Sequence, residues 1–219
     1  MTSLFKIPNE KISVFVETVL LIIGIGLFAL FIQQDGYLMA VAFGGLLMVS
    51  LVISAIVVRT DSPLELFGLN RFNKRIFWFC LLAIFIGILP AFYGRYFYDL
   101  TDFPQQLTII ALVSPLIGMT EELVFRGYLQ GRLRIIGVAG SVSIAAAAHA
   151  IYKFLVLWSV NDLVEINYLS LVGLTFGFGI IYGLLRAGSR SIIPALFAHA
   201  SFDILMYGDF TSMPVWVWG

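Results

Sequence analysis

Residues 120–131 read TEELVFRGYLQG, placing Glu121, Glu122 and Arg126 inside a sequence otherwise apolar enough for lipid. On a helix Glu122 and Arg126 stand at i and i+4 on one face and can form an ion pair, whereas Glu121 points about 100° away around the axis. Glu121 is then left without a close cation, available as a proton acceptor. Ionisable side chains at membrane depth mark either a buried structural network or a functional site. The rest of the chain has to decide between the two.

The chain has 219 residues, of which 60% are hydrophobic and 12% charged, against about 25% charged in soluble domains. This composition predicts an integral membrane protein. A net charge of zero gives no basic surface and excludes nucleic acid as an expected partner. Cys80 is the only cysteine, so neither an intramolecular disulfide nor a thiolate metal site can form. Lys6 and Lys11 precede the apolar run 12–32, which is too long for the core of a signal peptide and reads as a retained first transmembrane helix. Glu17, early in that run, is expected near the interface.

A spanning helix needs about 20 mostly apolar residues. Such segments occur at approximately 12–32, 37–58, 76–94, 105–130, 138–158, 166–185 and 191–207. The predicted fold is an all-α polytopic transmembrane bundle of about seven spanning helices, with eight as the upper count. It forms one membrane domain over 1–219, with the polar motifs in its second half, about 105–207. Pro115 and Gly118 predict a kink just before the glutamates. Lys6, Lys11, Arg59, Arg71, Lys74, Arg75, Arg132, Arg134, Arg186 and Arg190 fall on one side if the segments alternate, which makes the N-terminus cytoplasmic. Lys153, inside the fifth segment, is the exception, and is expected to snorkel outward or line a cavity. Gly173 with Gly177 and Gly179 with Gly183 are two small-xxx-small pairs where backbones can approach closely.

Only two histidines exist, His149 in SIAAAAHAIYKF and His199 in PALFAHASFDIL, with Asp203 four residues after His199. At about 1.5 Å per residue from the cytoplasmic ends, Glu121 lies about 15 Å deep and each histidine about 14 Å. A carboxylate and two imidazoles at one level, with Asp203 one turn deeper, form a convergent polar site. The sequence has no intramembrane GxSxG serine, no pair of intramembrane aspartates at one depth and no HExxH. Glutamate and histidine can deprotonate water, and donors from the other histidine helix can stabilise an oxyanion. Peptide hydrolysis by activated water fits best.

These residues resemble the CPBP intramembrane proteases, also called the Abi or type II CAAX endopeptidase family. Its motifs are EExxxR, FxxxH and HxxxN or HxxxD on separate transmembrane helices. Glu121, Glu122 and Arg126 match the first motif. His149 matches the second, with Ala145 in place of phenylalanine, and His199 and Asp203 match the third. The resemblance covers about 115–207, and the FGLN of residues 67–70 is similar to a further family feature. It implies that Glu121 is the general base, that His149 helps it activate water, that His199 and Asp203 lie on the oxyanion side, and that Glu122 with Arg126 orients the helix. The endopeptidase branch carries asparagine at the last position, a donor, whereas an ionised Asp203 only accepts. Either Asp203 is protonated, or it orients His199, or the chain is not a CAAX-type protease.

The leading expectation is therefore a metal-independent intramembrane endopeptidase of the bacterial inner or plasma membrane, acting on a membrane-associated peptide or protein. In the alternative metal reading, Glu121, Glu122, His149, His199 and Asp203 supply the ligands of a zinc ion. A different class is a non-catalytic bacteriocin-immunity or scaffold protein of the same family. A proton-coupled transporter fits less well, since the buried ionisable residues cluster in one half without a repeat.

Overall fold

A computed structural model describes residues 12–21, 23–24, 62–69, 71–97, 99–159 and 168–211. The described residues are helical, with no strand among them. The helices are α1 (Ile12–Leu21), α2 (Pro63–Phe67), α3 (Lys74–Phe97), α4 (Ile109–Glu122), α5 (Gly137–Ser159), α6 (Tyr168–Ser189) and α7 (Ile193–Met206). A π-helical turn, Leu123–Leu129, and short helical turns to Ile136 join α4 to α5.

Three helical stretches among the described residues, Lys74–Tyr96, Ile109–Leu155 and Leu169–Ser189, are long and apolar enough to cross a membrane, and the chain is an integral membrane protein. The count of seven spans is not reached on these residues. The expected segment 37–58 and the end of 12–32 lie outside them, and α7, at 14 residues, is a shorter apolar helix. The 47-residue stretch Ile109–Leu155 is not one rod. Glu121 and Lys153 lie 16 residues either side of Gly137, Phe125 and His149 lie 12 either side, and both pairs are in contact. The chain therefore folds back on itself at Gly137, whose φ of 89° suits a residue without a Cβ.

α3 shows how lipid and core divide one apolar helix. Phe77, Leu81, Phe85, Leu89 and Tyr93 recur every four residues and are exposed, whereas Ile76, Cys80, Ala83 and Ala91 are buried. Small residues set the buried face because α3 and α7 touch there. A Cβ on Gly87 would overlap the Ala198 carbonyl and the Ser201 hydroxyl. Of the two glycine pairs on α6, one mediates close approach among the described residues: Cβ atoms on Gly179 and Gly183 would each come within 2.8 Å of α5, at Ala146 and Val142. Gly173 and Gly177 face no described atom within 4 Å.

Pro115 lies inside α4 without breaking it. The helix runs on to Glu122 and widens afterwards, at Leu123–Leu129. Single π turns inside α-helices are rare and frequent at functional sites. Gly127 in this turn and Gly131 just after it leave a notch, and Phe67 and Leu66 of α2 fill it. α2 is held by the Ser62 Oγ cap on Glu65 N and by Gly68 in the left-handed conformation. The Gly68 carbonyl accepts from Ile192 N and Ser191 Oγ, both at 2.9 Å, and Arg186 Nη2 donates to the Leu66 carbonyl at 2.7 Å. The loop ending in FGLN thus clips the start of α7 to the glutamate-bearing turn.

Candidate active site

Glu121, Glu122 and Arg126 come from the α4 and π-turn junction, His149 and Lys153 from α5, and His199 and Asp203 from α7. All but His199 are buried, and the His199 side chain is 13% exposed. Gly118, one turn before the glutamates, lets α7 close onto α4. A Cβ there would lie 2.7 Å from both Asp203 Oδ2 and His199 Cδ2.

The two oxygens of Glu121 have different surroundings. Oε2 lies 3.3 Å from His149 Nε2 and 3.8 Å from His199 Nε2. Oε1 accepts a hydrogen bond of 2.9 Å from Lys153 Nζ. The expectation that Glu121 lacks a close cation is therefore corrected. Lys153 neither snorkels nor points to lipid; one turn beyond His149 on the same face of α5, it turns inward to the carboxylate.

Glu122 pairs with Arg126 as the i, i+4 spacing implied, Nη1 to Oε1 at 3.1 Å. The same oxygen also lies 3.1 Å from His199 Nδ1. Glu122, not Asp203, is thus the hydrogen-bonded partner of His199, because Asp203 Oδ1 is 3.9 Å from His199 Nε2, beyond hydrogen-bond reach. The i, i+4 relation brought Asp203 near His199 as a charge but not as an acceptor.

Arg126 settles the state of His149. Its Nη1 lies 2.7 Å from His149 Nδ1, and guanidinium only donates. Nδ1 must be the acceptor, which puts the imidazole proton on Nε2, facing Glu121 Oε2. Phe125 stacks on His149 with ring centroids 4.5 Å apart and planes 22° apart, and Tyr182 stands 5.8 Å from the His199 ring. Ala145, one turn before His149, is buried in the same cluster as Phe125 and Tyr152.

Sequence reasoning named the six motif residues, and the structure brings them together. It missed Lys153 as a member, although its spacing of four from His149 was a readable signal. It also missed Phe125 and Tyr182, because nothing in an apolar helix distinguishes an aromatic ring that packs on imidazole from one that packs on lipid.

The same side chains do not fit a zinc ion as they stand. Glu121 Oε1 is occupied by an ammonium and His149 Nδ1 by a guanidinium. Among the described residues, no group of three or more His, Cys, Asp or Glu side chains is arranged to hold a metal ion. Arg126 and Lys153, two fixed cations inside the cluster, oppose a third.

Residues 103–205 match the model of a family described as type II CAAX prenyl endopeptidase, Rce1-like. The match contains all three motifs, and it is the family that the motifs resemble. It makes a membrane-associated peptide or protein the expected kind of substrate. No curated protein matches the chain.

Proposed function

On the premise that residues 103–205 belong to the Rce1-like family of type II CAAX prenyl endopeptidases, we propose that the chain hydrolyses a peptide bond of a membrane-associated substrate with water activated by Glu121. The observation that carries this reading is the approach of both histidine Nε2 atoms, from separate helices, to the one oxygen of Glu121 that Lys153 leaves free.

Glu121 takes one proton from water, and the hydroxide forms the new C–O bond at the scissile carbonyl. His149, fixed by Arg126 as an Nε2–H donor, keeps Oε2 oriented and does not compete for the proton. His199 donates Nδ1–H to Glu122, which leaves Nε2 as its substrate-facing nitrogen. A proton on Nε2 makes it the donor to the developing oxyanion. Asp203, 3.9 Å away, cannot donate when ionised but supports the imidazolium by charge, which reconciles an acidic side chain with the oxyanion side. As the C–N bond breaks, the departing amine takes the proton from Glu121. Water is activated here without a metal.

The test is cleavage of an internally quenched, farnesylated peptide ending in a CAAX sequence, by the purified full chain in liposomes. Glu121→Gln is expected to reduce cleavage to background. Wild-type chain that cleaves neither this peptide nor a library of membrane-associated peptides would refute the peptidase reading and favour a binding role.

A further inference from the structure

Lys153 lies outside the three motifs, yet it makes the shortest polar contact to the proposed base. Its ammonium is 2.9 Å from Glu121 Oε1, and the residue is buried, 8% exposed. A lysine this buried is rare unless paired, and the pair spans two helices 32 residues apart in sequence. Three carboxyl groups, Glu121, Glu122 and Asp203, share this interior. Arg126 serves Glu122, so Lys153 supplies the cation for the remaining side of the cluster.

The two grips on Glu121 are complementary. His149 and Lys153 stand one turn apart on α5 and reach different oxygens of one carboxylate. One hydrogen bond leaves a carboxylate free to rotate about its last torsion; two, to opposite oxygens from one rigid helix, fix its plane. With Oε1 held by the ammonium, Oε2 is the oxygen presented to His199 and to the substrate side.

We infer that Lys153 is a positioning residue for catalysis, holding Glu121 by Oε1 so that Oε2 is the atom that accepts the proton of water. The inference rests on the peptidase reading above. It adds to that reading a residue that the motifs do not contain.

The experiment measures kcat and KM on the farnesylated quenched peptide for wild type, Lys153→Met and Lys153→Arg, with thermal unfolding of each. Misplacing a catalytic group by about 1 Å costs about 10²-fold. Lys153→Met is expected to lose about 10²-fold in kcat with KM within about threefold. Lys153→Arg, which keeps the donor and the charge, is expected to recover at least a tenth of wild-type kcat. A folded Lys153→Met with wild-type kcat overturns the inference while leaving the peptidase reading intact. Loss of cleavage in Lys153→Arg equal to that in Lys153→Met, with both folded, overturns it too.

Should Lys153→Met fail to fold, Lys153→Leu carries the same comparison, likewise without a donor, and the same loss in kcat is expected. A double-mutant cycle of Lys153→Met with Glu121→Gln, read by unfolding, reports the contact independently of turnover. Additive effects would show that the two side chains do not meet and would overturn the inference. An inactive wild type refutes the peptidase reading, and the positioning role with it.

Discussion

Replacing Gly118 by alanine adds a single carbon at the point where α4 and α7 bring the two halves of the site together. The new Cβ would lie 2.7 Å from both Asp203 Oδ2 and His199 Cδ2, where ordinary contact begins at 3.4 Å. The helices, or the His199 ring, must therefore yield by the difference of about 0.7 Å. Alanine gains about 0.8–1 kcal/mol in helix propensity, and overpacking costs about 1–3 kcal/mol. The net loss in stability is therefore small, from about zero to about 2 kcal/mol. The effect on turnover is larger, because a displacement approaching 1 Å at a reacting centre costs about 10²-fold, or about 2.7 kcal/mol of barrier. Gly118→Ala is thus expected to stay folded and to lose most of its kcat. Gly177→Ala on α6, whose Cβ meets no described atom within 4 Å, is the control: it is expected to be neutral or slightly stabilising and fully active. The assay is quenched-peptide cleavage in liposomes, beside thermal unfolding in the same detergent. A Gly118→Ala chain retaining more than half of wild-type kcat would show that His199 and Asp203 need not sit where the structure puts them.

Arg126→Met leaves Glu122 buried without its cation and His149 Nδ1 without its donor; about 3–5 kcal/mol of destabilisation is expected, and unfolding at the wild-type temperature would refute the pairing. Cleavage is expected to resist chelators and purified protein to lack stoichiometric metal; one equivalent of zinc, lost on mutating His149 or His199, would reverse the metal-free reading. The third concerns the far end of α7, where Arg95, fully buried, donates to Asp209 Oδ2 at 2.6 Å and to the Leu205 carbonyl at 3.0 Å. Its hydrogen bond holds the Asp209 carboxyl below the ordinary carboxylate range. A folded-state pKa that is depressed contributes stability above the unfolded value of about 3.9 and loses it as pH falls through the folded one. The unfolding temperature is therefore expected to drop below about pH 4, and Asp209→Asn to remove that part of the drop; an unchanged acid limb in Asp209→Asn would refute the linkage.

The helical class and the membrane setting were legible in the sequence because both follow from local composition: long apolar runs cannot satisfy their backbones in lipid except as helices or closed barrels. The i, i+4 pair of Glu122 and Arg126 was legible for the same reason, since the spacing alone places both on one face. So was the convergence of Glu121, His149 and His199, which was expected from the rise per residue and which puts both histidine Nε2 atoms within 3.8 Å of Glu121 Oε2. The tertiary structure alone decided which nitrogen meets which oxygen. Lys153 is fixed to Glu121 by the fold-back at Gly137, a contact across 32 residues that no local pattern encodes. His199 turns its Nδ1 to Glu122 and not toward the aspartate four residues on, because Gly118 lets α7 approach α4 at that turn. The same limit explains the glycines: the pairs Gly173 with Gly177 and Gly179 with Gly183 carry identical spacing, and among the described residues only the second pair meets a neighbouring helix. Spacing along one helix says which residues share a face, and the packing of a second helix against it says what that face touches.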